Sequence, residues 1–337
     1  MKRVFGMMTL AALLAVGSVS CKKAETNSSF TFGLPTVEGV WADEGKAYID
    51  MVDGNKMKWY DGDQMMIYSV DATNTTPTTG VFTADAGSTG ATVAHFNGPQ
   101  MTAGSYGYFA FYPADKAVSV SADNYATFEV GNTQTYDKNL NFTGSYAGRI
   151  LMDPRGVVAA STCALLNGNT TVMLNHIFGF ANVRVKSTSG ATKNVKSVSI
   201  RDNKKNLTGE ITIQIPAITD ARLSALQTLG TNYANGSITQ EAYLSQLNSI
   251  LHEMGYSAQP NGNVVTLDCS DYAGGAVPIN NKNKYFFIPL RPGALIDSFT
   301  VTLTYDDNTT KEFNFNGNTD RQYVIRPGWI NNIQVEI

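Results

Sequence analysis

Cysteine is scarce in this chain, with three in 337 residues, which excludes a scaffold held together by many disulfides. Histidine is equally scarce: His95, His176 and His252 stand far apart and have no metal-ligand spacing to the cysteines. Charged residues make up only 16% of the chain and the formal net charge is −3, so there is no basic surface for nucleic acid. Beyond residue 20 no apolar run approaches the ~20 residues that a membrane-spanning helix needs. Arginine is missing altogether between Cys21 and Arg149. No Gly-rich loop lies between a strand and a helix to hold phosphate, and Ser161 to Cys163 is not a nucleophile elbow. These gaps leave no catalytic constellation, and neither an enzyme activity nor a cofactor or metal is expected.

The first residues are more informative. Lys2 and Arg3 precede an apolar run from Val4 to Val16, then small residues at Gly17, Ser18 and Ser20, and then Cys21. These are the charged, apolar and small-residue parts of a secretory signal over residues 1–20, and the run is too short to span a bilayer. A cysteine directly after the cut predicts a lipoprotein with Cys21 as its lipidated N-terminus. Ser18 stands where the motif more usually has Leu, so the lipobox is relaxed. Each buried acyl methylene adds about 0.8 kcal/mol of membrane affinity, and several chains anchor the protein effectively permanently. Residues 21–29 follow as a polar tether. The compartment permits disulfides, so two readings of Cys163 and Cys269 stand side by side: a bridge, or two buried thiols.

The mature chain is rich in Asn, Thr, Ser, Gly and Tyr, which suits strands with polar outer faces and turn-rich connections. Apolar runs flank Asp61-Gly62-Asp63, which reads as a hairpin or a tight bend. Tyr106, Tyr108, Ala110 and Tyr112 share one strand face, with Phe109 and Phe111 on the other and Pro113 ending the strand, as for a central strand. Asn167-Gly168-Asn169 marks a domain boundary, giving domains at 30–168 and 169–337. Val172, Leu174, His176, Phe178 and Phe180 then share one face of a long strand, with a bulge near Gly179. Phe299 to Tyr305 and Lys311 to Phe315 form a hairpin around Asp306-Asp307-Asn308, and Ile333, Val335 and Ile337 alternate with polar residues at the end. The paired aspartates are turn residues, not cation ligands. One segment, 218–255, breaks the β pattern: Leu223, Leu226 and Leu229, then Leu244, Leu247, Ile250, Leu251 and Met254 recur at helical spacing. Ser237 with Gln240 reads as a capping box and Gly255 as the stop. This predicts a helical hairpin inserted in the second domain, packed on a sheet.

Taken in order, several stretches resemble the fimbrillin-like family of lipoprotein pilins, which build type V pili on Gram-negative cell surfaces. They are Trp59-Tyr60-Asp61-Gly62-Asp63 with Met66-Ile67-Tyr68, then Ala94-His95-Phe96-Asn97-Gly98, then Tyr108-Phe109-Ala110-Phe111-Tyr112-Pro113. Leu174-Asn175-His176 through Val183-Arg184-Val185 follows, and Arg326-Pro327-Gly328 leads into Ile333-Gln334-Val335-Glu336-Ile337. The resemblance implies an all-β fold of two tandem transthyretin-like β-sandwich domains and a precursor delivered as a lipid-anchored protein to the cell outer membrane. It implies other pilus subunits as partners. In the family's shaft subunits a protease cuts after a basic residue, usually Arg, and the lost leading strand is replaced by a strand from the next subunit.

This chain has no Arg in that region, so either the protease accepts Lys, with Lys46 beside Gly45 as the candidate, or the subunit is never cut and stays as an anchor, tip or accessory subunit. Ile333, Val335 and Ile337 are either a donor strand or the last strand of the second domain's own sheet. The reading from another class is a surface glycan-binding lipoprotein that offers Trp41, Trp59 and Trp329 as stacking platforms to a host or microbial glycan.

Overall fold

A computed structural model of the chain describes residues 27–33, 48–50, 56–59, 61–69, 78–99, 101, 108–114, 117–120, 125–136, 150–152, 159–163, 171–173, 175–176, 178–202, 207–214, 219–255, 257–291, 298–316, 325 and 330–337. The fold is all-β with one helical hairpin, as the turn-rich, charge-poor composition predicts.

The first sheet has eight strands. They are β1 (Asn27–Gly33), β4 (Gln64–Ser69), β5 (Thr78–Ala84), β6 (Val93–Pro99), β7 (Tyr108–Tyr112), β12 (Ala159–Cys163), β13 (Thr171–Met173) and β14 (Asn175–His176), in the order β13-β1-β6-β5-β4-β7-β12-β14. A separate ribbon pairs β2 (Tyr48–Asp50) with β3 (Lys56–Lys58). The Asp61-Gly62-Asp63 segment is therefore a bend and not a hairpin: β3 pairs back to β2, while β4 pairs with β5 and β7. Gly62 makes the bend at φ +80°, and Asp61 pins it, accepting from the Thr89 backbone N–H at 2.8 Å while its own N–H donates to Thr89 Oγ1 at 3.0 Å.

Period-two alternation places Met65, Ile67, Phe82, Ala84, Ala94, Phe96, Ala110 and Tyr112 on one face, all buried. Trp59, fully buried, meets Phe96 and Tyr112 edge-on at centroid distances of 4.8 and 5.3 Å. Gly98 is required here, since a Cβ would lie 2.6 Å from the Phe82 ring. β7 is buried on both faces, as expected for a central strand.

The second sandwich faces two sheets. One contains β10 (Thr133–Thr135), β16 (Lys193–Asp202), β19 (Val264–Asp268), β20 (Val277–Ile279), β22 (Ser298–Tyr305) and β23 (Thr310–Asn316), in the order β10-β19-β16-β22-β23 with β20 also on β16. The other runs β11-β21-β15-β24, with β11 (Ile150–Met152), β21 (Lys284–Leu290), β15 (Gly179–Lys186) and β24 (Ile330–Glu336). Val198, Ile200, Leu267, Val301 and Leu303 from the first pack with Val183, Val185, Phe286, Ile288, Ile333 and Val335 from the second. The expected hairpin of β22 and β23 is present, with Asn308 at φ 61° in its turn.

A third sheet, β18-β17-β9-β8, contains β8 (Ala117–Val120), β9 (Tyr125–Val130), β17 (Thr208–Gln214) and β18 (Ser257–Gly262). Helices α1 (Asp220–Ala234) and α2 (Gln240–Glu253) share its core. Leu226, Leu229, Leu247, Leu251 and Met254 are buried with Ala126, Phe128, Ile211 and Ile213, and the core extends to Tyr68, Phe109 and Phe111 on the far face of the first sheet. The leucine stripes therefore pack on a sheet, as their spacing predicts. Tyr233 and Tyr243, stacked 4.7 Å apart and fully buried, complete that core and lie outside the leucine pattern. The α2 cap differs from the expectation: Thr239, not Ser237, is the N-cap and accepts from the Ala242 N–H at 3.2 Å. Ser237 instead donates its hydroxyl to Asn235 Oδ1 in the interhelical turn. Gly255 ends α2 at φ +67°, and a Cβ there would lie 2.8 Å from Gln214 Cβ.

The long strand expected from Val172 to Phe180 is divided. β13 and β14 belong to the first sheet, and β15 starts the second sandwich at Gly179. The first sheet thus takes its last strand as late as His176, while β9, β10 and β11, earlier in the chain, pair with β17, β19 and β21, all far beyond residue 168.

Candidate functional site

The groups that carry chemistry in the sequence do not converge among the described residues. Among the described residues no three His, Cys, Asp or Glu side chains lie together as a metal site. His95 Nδ1 lies 2.8 Å from Asp85 Oδ2, and the Asn97 amide donates to the other oxygen of that carboxylate. His252 is exposed on α2, and the His176 side chain lies outside the described residues. Asp61 and Asp307 act as turn carboxylates. Backbone N–H groups of Gly87 and Thr89 hold Asp61 below its ordinary pKa, and the Thr309 hydroxyl and N–H do the same for Asp307. Of the proposed sugar platforms, Trp59 is buried in the first core, while Trp41 and Trp329 lie outside the described residues, as do Cys21 and Lys46.

Cys269 is a free, buried thiol, set in the second core beside Leu267 and donating to the Leu267 carbonyl at 3.8 Å. Cys163 ends β12, and its side chain lies outside the described residues. Burial pushes the Cys269 thiol well above its ordinary pKa, with the nearby Asp268 charge adding to the shift. A folded-state pKa above the unfolded one favours folding below the unfolded thiol pKa, and that contribution is lost as pH rises above it. Alkylation needs the thiolate, so iodoacetamide should spare Cys269 in the folded chain at pH 8 and label it promptly in denaturant. Mass spectrometry of digested samples checks this, and equal labelling in both states would contradict the buried placement.

What the topology does single out is two strands at the ends of the chain. β1 is the first strand described, yet it lies inside the eight-stranded sheet. Along its whole length, from Asn27 opposite Pro99 to Gly33 opposite Val93, it pairs antiparallel with β6. On its other side Thr31 to Gly33 pair in parallel with Thr171 to Met173 of β13. Lys46 falls between β1 and β2 in sequence, so the link that holds β1 to the rest of the chain carries the candidate cut. Removing β1 would leave unpaired backbone along both β6 and β13, an open slot of the kind that β-augmentation fills.

β24 is the opposite case. Among the described residues it lies at the edge of its sheet and pairs, in parallel, with β15 alone, from Phe180 opposite Ile330 to Lys186 opposite Glu336. Ile333 and Val335 are buried and Ile337 packs on the same core. The final residue is held by backbone bonds, Ile337 N–H to the Lys186 carbonyl at 2.9 Å and Thr188 N–H to the Ile337 carbonyl at 2.8 Å. Asn182, Asn331 and Asn332 line this seam. Asn182 Nδ2 donates to Asn332 Oδ1 and Asn331 Nδ2 to the Phe180 carbonyl, each at 3.0 Å. Their signal is a run of amides where an alternating strand should be apolar.

No protein-family model matches the sequence, and no curated protein matches it. Among solved structures it is similar to a candidate cell adhesion protein from Bacteroides uniformis, at 10% identity and a TM-score of 0.45, covering 92% of this chain and 93% of that one. It is also similar to a fimbrial protein from Bacteroides ovatus, at 12% identity and a TM-score of 0.38 over 93% of this chain and 50% of that one. A further similar structure is the fimbrial anchor protein Mfa2 from Porphyromonas gingivalis, at 8% identity and a TM-score of 0.31 over 92% and 90% of the two chains.

Proposed function

We propose that this chain is a lipid-anchored subunit of a cell-surface fimbria, structural and adhesive in role, carried on the outer membrane through Cys21 and assembling with other fimbrial subunits by strand donation. The observation that supports it most is the position of β1, inside a sheet, N-terminal to all the other described strands and joined to them through the segment that holds Lys46. The signal-like start, the ordered resemblance to lipoprotein pilins and the scattered titratable groups support the same reading. Without Arg in the expected cleavage region, the anchor, tip or accessory role is favoured over the shaft. In that role β1 stays in place and the lipid holds the subunit at the membrane. A tip or accessory subunit would present its exposed faces to a glycan or protein of a host or of another microbe.

Intact mass and N-terminal sequence of the protein recovered from cells test the reading. An acylated Cys21 start alone is the expected result for an anchor or accessory subunit. A lipid-free start just after Lys46 would instead mean a processed subunit with an opened slot. An unlipidated start upstream of Lys46 would overturn the lipid anchor, and recovery of the protein free of any fimbrial fraction would overturn the assembly role.

A further inference from the structure

The terminal strand poses a problem of register. On the inner side of β24, Ala181, Val183 and Val185 stand opposite Asn331, Ile333 and Val335. Sliding β24 by two residues, so that Gln334 faced Asn182, would put Ile333, Val335 and Ile337 opposite the same three positions. That row would be wholly apolar, so hydrophobic packing does not forbid the slip. A slip of one residue is already excluded, because it turns every side chain to the other face.

Ion pairs do not decide either. Lys186 and Glu336 pair at 2.7 Å in the observed register, both well exposed, where such pairs contribute little. The slipped register would offer Glu336 to Arg184 instead. Arg184 lies over the Tyr285 ring at 5.8 Å, and its Nε is buried without a hydrogen bond.

The amides do decide. Asn182 and Asn331 are each only 1% exposed and their Oδ1 atoms have no hydrogen-bond partner, so losing the Nδ2 partner as well would leave each buried amide wholly unmet. After the slip, Asn332 would stand opposite fully buried Phe180 and Gln334, one methylene longer than Asn332, would enter the closed space at Asn182. A slip in the other direction would bring Asn331 opposite Val183 in the apolar core. On β15 the two consecutive amides fit at Ala181 and Asn182, where one position is small and the other offers an amide.

We propose that Asn331 and Asn332, seated against Ala181 and Asn182, form a register key that fixes β24 at one register on β15.

Paired cysteines read the register in the full-length chain. Arg184→Cys with Gln334→Cys reports the observed register, and Arg184→Cys with Glu336→Cys reports the slip; opposed positions fall within bridging distance. After mild oxidation and peptide mapping, only the first pair should cross-link in chains that keep Asn332. With Asn332→Val added, both pairs should cross-link to similar extents. Cross-linking of the slipped pair with Asn332 intact would overturn the key, as would its absence in the Asn332→Val chain. Thermal melting of each chain confirms that it is folded; should Asn332→Val fail to fold, Asn332→Ser serves in its place.

Discussion

A chain ending at residue 329 should fail to fold its second sandwich. The deletion removes Ile330, Ile333 and Val335, all buried, and at ~1.5–3 kcal/mol for each fully buried side chain the loss is roughly 5 to 9 kcal/mol. Whole domains are stable by only about 5–15 kcal/mol. The deletion also leaves the β15 backbone without its parallel partner and the Asn182 amide without Asn332. Thermal melting with amide hydrogen exchange on β15 and β21 is the measurement, and cooperative melting with protected β15 amides would show that β24 is dispensable. A synthetic peptide of residues 330–337 added in trans should restore protection, because the slot is defined by backbone pairing with β15 and by burial of Ile333 and Val335 rather than by chain connectivity.

Trp59→Ala should be the most damaging single substitution in the core on the Phe96 and Tyr112 face of the first sheet. The indole is fully buried and packed edge-on against Phe96 and Tyr112, and truncating such a side chain costs about 3–5 kcal/mol. At roughly 2–4 °C per kcal/mol for a chain of this size class, the melting temperature should fall by roughly 6 to 20 °C. Val93→Ala on the same sheet, at a side chain 50% exposed, should move it by about 1–2 °C or less. Similar effects at the two positions in thermal denaturation would refute the core assignment and return Trp59 to the list of sugar platforms.

Local chemistry was the legible part of the sequence. The β7 strand could be placed because aromatics on both faces and a closing proline leave few alternatives, and the β22–β23 hairpin because Asp306-Asp307-Asn308 tolerates the left-handed turn that Asn308 adopts. The helical stripes were legible for the same reason: leucines at helical spacing can bury together only on one face of a helix. The cap was misread by two residues because Ser237 and Thr239 both carry a hydroxyl suited to an N-cap, and only the path of the turn chooses between them. The Val172–Phe180 run read as one strand because alternation continues across Leu174. Alternation along a chain does not reveal that β14 pairs with β12 while β15 pairs with β21 and β24.

The sequence by itself determined that this is an all-β chain with a helical hairpin, and its first residues predict an export signal ahead of Cys21. Both follow from short-range rules: the period of apolar residues, turn residues with special backbone angles, and the order of charged, apolar and small residues at the start. Tertiary structure alone decided which strands are neighbours. It placed β1 inside a sheet between β6 and β13, set β24 at an edge on β15, and joined β9, β10 and β11 to strands far along the chain. The reason is physical: a strand's pairing partner is chosen by burial on a shared face and by closure of long loops. Those energies depend on what the rest of the chain has already brought together.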